Sequence, residues 1–230
     1  MIDYREYRPA PALASRIECY WAMEGAPGEG APIERILPDG CVEAVFHQAA
    51  PFRAFAEDGR SRPQPASLVV GPSTRYLLIQ PPHRVRTIGI RFRPGGARLL
   101  LPMPVHEIAG RVASIEDLLG AAGLRLAASA GIDAGVAAAV RALETAMLDR
   151  LHRQPARTGA PIGPMVSAIL RSRGRLPVAE VARRAGVSAR QLERRFLDEV
   201  GLTAKALARL ARFQSAFGSA SGCADAEWAG

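Results

Sequence analysis

The side chains best placed to do chemistry lie between Leu176 and Val200, LPVAEVARRAGVSARQLERRFLDEV. Arg190, Gln191, Glu193 and Arg194 fall within five residues of one another. Arg can bond two acceptors of guanine at once, and Gln can pair with adenine in the same bidentate way. At about 100° per residue, Arg190, Gln191 and Arg194 share one helix face, with Glu193 at its edge. Ala189, Leu192, Phe196 and Val200 share the opposite face. An apolar back behind an Arg/Gln front suits a helix lying in the DNA major groove, so residues 189–200 are expected to be a reading helix.

Such a helix has to be held at a fixed angle. Ala182, Gly186 and Leu192 stand four and six residues apart, the arrangement a helix-turn-helix needs. The small Ala182 allows the two helices to cross. Gly186 ends the first helix in a left-handed conformation that costs other residues energy. Leu192 anchors the second helix, with Phe196 behind it. Val178, Val181 and Ala185 complete the inner face of the first helix. Ser188 and Gln191 form S-x-x-Q, a capping box that satisfies two backbone donors. Ser188 also joins Arg190, Gln191, Glu193 and Arg194 as a candidate contact to DNA.

The charge distribution agrees. The chain has 230 residues and a net charge of +8. From 161 to 217 there are 11 basic and 4 acidic residues, whereas 1 to 160 carries 19 basic and 16 acidic. The excess surrounds the reading helix, as a phosphate-binding surface requires. Three cysteines, Cys19, Cys41 and Cys223, have no metal-ligand spacing. Neither a signal peptide nor an apolar run of spanning length is present, which points to the cytoplasm and away from a membrane.

The first half of the chain reads as β-structure. Residues 16–24 alternate Ile17, Cys19, Trp21 and Met23 against more polar neighbours. LPDG at 37–40 is turn chemistry, followed by strand-like CVEAVF. Residues 50–66 read as an exposed loop. SLVV, YLLIQ and VRTIGIRF follow, separated by Gly and Pro breaks. Trp21 and Cys41 are expected in the core and Arg91 on the surface. After Pro104 the pattern turns helical, to about 153. Ser114 and Asp117 cap a short helix. Asp133 is the expected N-cap of a longer one whose stripe is Val136, Val140, Leu143, Met147 and Leu151. That stripe either packs on its own domain or makes a dimer. QPARTGAPIG has linker composition, and Pro164 starts a new helix.

SARQLERRFLDEVGLTAKALARLARFQ, with VSAILRSRG before it, closely resembles the DNA-binding region of AraC/XylS-family transcription regulators. RILPDGCVEAVF, GPSTR and VRTIGIRFRPGGARLLL are similar to the uncharacterised sensor-like domain of one branch of that family. The resemblance implies an α+β chain, with an N-terminal cupin-like β-barrel and helices (1–157, helical from about 105 to 153). A linker at 158–163 and an all-α helix-turn-helix region at 164–230 would follow. It implies a bacterial transcription regulator that binds double-stranded DNA and needs no cofactor. A small-molecule effector, a second copy and RNA polymerase are the further candidate partners. The family carries a second helix-turn-helix, which would need about forty residues after Trp228. ADAEWAG at 224–230 resembles its start, so the second reader is expected to be missing.

The rival reading is a cupin-type small-molecule-binding or metal-dependent enzyme domain, with a helical module that binds something other than DNA. Four histidines, at 47, 83, 106 and 152, form no H-x-H pair. No nucleophile elbow, phosphate loop or dinucleotide fingerprint is present. The expectation is therefore no catalytic site and no metal, with a strand-lined cavity in the N-terminal domain.

Overall fold

The computed structural model describes residues 1–28, 30–131, 133, 135–154 and 161–216. Strands come first and helices after, an α+β arrangement. Six strands form the larger sheet: β1 (Ile2–Tyr7), β2 (Ile17–Gly25), β4 (Val42–His47), β7 (Ser67–Val70), β9 (Val85–Phe92) and β10 (Val112–Ser114). Their order is β1-β2-β9-β4-β7-β10. Four shorter strands, β3 (Glu34–Ile36), β5 (Arg53–Phe55), β6 (Ser61–Pro63) and β8 (Leu77–Gln80), make a second sheet ordered β3-β8-β5-β6. Every pairing is antiparallel. Among the described residues no ladder joins the two sheets into a closed barrel.

The inner strands of the larger sheet, β2, β4, β7 and β9, are buried on both faces, which is why they are largely apolar. Tyr20, Ala44, Phe46, Ile88, Ile90 and Phe92 pack under three helices, α1 (Ile115–Leu119), α2 (Ala121–Ser129) and α3 (Val136–Arg153). Cys19, Trp21, Met23, Val45, Leu68 and Val85 face the other way and meet Phe52 and Ile79 of the smaller-sheet side. Trp21 lies flat on Gly89, where a Cβ would sit 2.3 Å from the indole. Trp21, Phe52, Leu68 and Ile79 pack between the sheets, and the strand-lined cavity expected of the N-terminal domain is a cleft at the strand ends, by Phe55, Val70, Leu77 and Val112.

Several local expectations are corrected. Residues 50–66 are not a plain exposed loop. They fold as the β5–β6 hairpin, with Phe52 buried and Gln64 nearly so. Asp133 does not cap α3. Gly135 stands at that position with φ of 93°, and Asp133 Oδ1 accepts from Arg86 Nη1 at 3.1 Å instead. The apolar stripe of α3 is spent inside the molecule: Val140, Leu143 and Met147 are buried in the sheet core, with Val136 and Leu151 against it. Of the two roles open to that stripe, packing on its own domain is the one found. Cys41 is half-buried and precedes β4; its N–H donates to Asp39 Oδ1 at 2.8 Å. Arg91 is buried, held by carboxylates from Glu18, Asp39 and Glu43.

Four helices follow among the described residues: α4 (Ile162–Arg171), α5 (Val178–Arg184), α6 (Ala189–Glu199) and α7 (Ala204–Ala216). Residues 162–163 of the expected linker therefore already belong to α4. These helices have their own core around Ile169, Val181, Leu192, Phe196 and Leu207. Among the described residues they rest on the sheet region at several places. A Cβ on Gly40 would meet Leu207 and Leu210 of α7. Gly201, at φ of 81°, packs against Pro72 and Val105. Gly95 lies beside Ile162. Phe217, Cys223 and the ADAEWAG segment lie outside the described residues.

Candidate nucleic-acid interface

The turn between α5 and α6 is built by two hydrogen bonds and one glycine. Val187 N donates to Ala182 O at 3.1 Å and Gly186 N to Arg183 O at 3.2 Å. That pair is a Schellman motif, and it requires the left-handed φ of 64° found at Gly186. Ala182 is buried where α5 meets its neighbours, and Leu192 and Phe196 are essentially inaccessible. The capping box is complete. Ser188 Oγ accepts from Gln191 N at 3.2 Å, and Gln191 Oε1 accepts from Ser188 N at 2.8 Å.

The outward surface of α6 carries Arg190, Gln191, Glu193 and Arg194, all exposed, with exposed Ser188 at its start. Ala189, expected on the inner face, is exposed as well. It occupies the first helical turn, ahead of the point where α6 meets the core. The buried face runs through Leu192, Phe196, Glu199 and Val200. Glu199 is tolerated there because Arg195 Nη2 bonds its Oε1 at 3.1 Å. Sequence pattern missed this pair, although its i,i+4 spacing was visible.

The cations differ in how committed they are. On α5, Arg183 forks onto Glu180 with two 2.6 Å bonds, and Arg184 Nε adds one at 2.7 Å. Hydrogen bonds from Arg183 and then Arg184 hold the Glu180 carboxyl down at about 2. Among the described residues Arg190 and Arg194 make no ion pair, so these two cations can be offered to an anionic partner without breaking one. Gln191 is less available. Its Oε1 points back to its own helix start, and a bidentate pair with adenine needs that oxygen turned outward.

The sheet region touches the C-terminal half of α6 and leaves its N-terminal turn exposed. His106, in a 3-10 turn at Val105–Ile108, places Nδ1 3.3 Å from Leu197 O. Among the described residues no three His, Cys, Asp or Glu side chains gather where they could hold a metal ion. No described helix is long and apolar enough to cross a membrane.

A family model described as a domain of unknown function (DUF6597) matches residues 5–114, which ends with β10. Comparison with curated proteins finds no match. Among solved structures, the chain is similar to ToxT from Vibrio cholerae O395, with 9% identity and a TM-score of 0.38 over 94% of this chain and 81% of that one. A second ToxT structure from Vibrio cholerae gives 7% identity and a TM-score of 0.39 over 95% and 82% of the two chains. The AraC-like transcriptional activator CuxR gives 13% identity and a TM-score of 0.27, covering 95% of this chain and 87% of its own.

Proposed function

We propose that the chain is a sequence-specific DNA-binding transcription regulator of AraC type. On this reading α6 enters the major groove, and the cupin-like N-terminal region is a non-enzymatic sensor that works in the cytoplasm. The observation that carries the reading is the outward face of α6. Two unpaired arginines project from a helix whose cap, turn and buried anchors all fix its orientation. The domain limits are taken as 1–157 for the sensor and 164 onward for the reader. A second copy and RNA polymerase are its further partners.

The test is selection from a random duplex library with the full chain, followed by anisotropy titration of the enriched site. Affinity should fall steeply between 50 and 200 mM salt, since each neutralised phosphate releases counterions. Arg194→Ala should cost about 1–3 kcal/mol on the enriched site, the worth of one bidentate base contact. Its melting temperature should stay unchanged, because an exposed Arg carries little stability. Enrichment of no sequence, with salt-independent binding, would leave the helical protein-interaction reading in place of this one.

A further inference from the structure

Of the strands at the sheet edges, β3, β6 and β10 have three residues each, and β6 ends in Pro63. β1 has six, and among the described residues it has a neighbouring strand on one side only. Hydrogen bonds in an antiparallel ladder alternate, so every second residue points its N–H and C=O at the partner and the others point theirs away. The Met1 amino group donates to Ala26 O at 3.0 Å, and the register runs on from Ile2 opposite Gly25. Asp3, Arg5 and Tyr7 therefore turn their backbone groups toward β2. The same alternation, carried across the β2–β9 and β9–β4 registers, requires a bond from Gln48 N to Arg86 O, and that bond is present at 2.7 Å. Ile2, Tyr4 and Glu6 thus point their N–H and C=O out of the sheet.

This outer row is complementary to itself. A two-fold axis between antiparallel strands has to pass between a residue and its own copy, because an axis between positions would exchange bonded with non-bonded pairs. Centring on Asp3, Arg5 or Glu6 sets a charge against itself, which is destabilising. Centring on Tyr4 sets Ile2 opposite Glu6 of the second copy, and Asp3 opposite its Arg5. Ile2, Tyr4 and Glu6 of each chain then exchange backbone bonds. Asp3 and Arg5 fall in the non-bonded pairs, where Cα atoms approach to about 4.5 Å and side chains are closest. Both side chains are exposed and already form an ion pair at 2.6 Å along the strand. Set beside their copies, they make a ring of alternating charge. On the other face Tyr4 packs against Trp21, with ring centroids 6.3 Å apart, and the second Tyr4 extends that aromatic row.

We propose that β1 is a homodimer interface: two copies of the chain pair their β1 strands antiparallel about Tyr4, and the six-stranded sheet of one molecule continues into that of the other. The mode is strand addition to an open sheet edge. Exposed ion pairs contribute little by themselves. Here the charges select the register, and the backbone bonds carry the affinity. Reading the second copy as part of the regulator rests on the function proposed above; the pairing itself rests on β1 alone.

The test is sedimentation velocity of the full chain without DNA, over low to high micromolar concentration. The parent should show a monomer–dimer equilibrium. Asp3→Arg and Arg5→Asp should each weaken dimerisation at least about tenfold, since each sets like charges opposite one another on both sides of the axis. The double variant Asp3→Arg/Arg5→Asp restores opposite charges and should dimerise within about threefold of the parent. An equimolar mixture of the two single variants should dimerise as well, because every facing pair in the mixed dimer is opposite in sign. Glu6→Pro removes an outward N–H and spares the β1–β2 bonds, so it should be monomeric with an unchanged circular-dichroism spectrum. Arg141→Ala, exposed on α3, should change nothing. All replaced side chains are exposed, so melting curves should match the parent. A monomeric parent, a dimer indifferent to the single charge reversals or to Glu6→Pro, or single variants that do not recover on mixing would each overturn the proposal. Because no step involves DNA, its failure is distinguishable from failure of the regulator reading.

Discussion

Lowering the pH should destabilise the sheet region through one residue, His47. The imidazole is 8% exposed and sandwiched between two polar partners. Nδ1 lies 3.1 Å from Thr87 Oγ1, and Nε2 lies 3.2 Å from Gln64 Oε1. Gln64 Oε1 can only accept, so Nε2 carries the proton and Nδ1 accepts from the Thr87 hydroxyl. The neutral ring is therefore fully satisfied. A second proton on Nδ1 would be buried beside Phe52, whose ring centroid is 5.3 Å away. Burial lowers the pKa from 6.5 to about 4, against an opposing contribution from the Gln64 bond. The folded pKa is the lower one, so between about 4 and 6.5 the unfolded chain binds more protons than the folded one. Stability is fully present above 6.5 and is lost as pH falls through that window. A shift of about 2.5 units at 1.36 kcal/mol each corresponds to roughly 3 kcal/mol, of which about 2 should be gone by pH 4.5. Urea unfolding at pH 7.0 and 4.5, for the parent chain and for His47→Gln, separates this contribution from that of the carboxylates. The parent should lose about 2 kcal/mol more than the variant over that interval. Equal losses, or an NMR titration of His47 centred near 6.5, would refute the reasoning.

Three further outcomes follow from the geometry. Gln191→Glu keeps an acceptor for Ser188 N and should leave stability within about 0.5 kcal/mol, whereas Gln191→Ala should cost about 1 kcal/mol by opening the cap. In DNA titrations the Glu variant should bind weaker than the Ala variant, because it adds a negative charge to the outward face of α6; the reverse order would mean that the intact cap outweighs that charge. Gly201→Ala asks an L-residue to adopt φ of 81° and puts a Cβ 2.7 Å from Pro72 Cγ. It should destabilise by at least about 1–2 kcal/mol and loosen the sheet–reader contact, seen as faster hydrogen exchange at Val105–Ile108; unchanged exchange would argue against that contact as the hinge. Arg91→Met leaves Glu18, Asp39 and Glu43 facing one another and should cost about 3 kcal/mol at pH 7, recovering in part as the carboxylates are protonated at low pH, which chemical denaturation at two pH values measures.

The helix-turn-helix geometry of α5 and α6 was legible from its residues because its constraints are local. A Schellman turn, a capping box and an i,i+4 apolar row each span fewer than ten residues, and Gly186, Ser188, Gln191, Leu192 and Phe196 spell all three. The strands at 17–25, 42–47, 67–70 and 85–92 were legible for the same reason, since period and turn chemistry act over a few neighbours. Tertiary contact decided everything that depends on residues far apart in the chain. Arg91 looks like an outward strand residue until β9 is set beside β2 and β4, which bring Glu18 and Glu43 to it. The β5–β6 hairpin is too short and polar to announce itself; pairing with β8 makes it sheet. The stripe on α3 fixed that a face would be buried, and packing alone decided that its partner is the chain's own sheet.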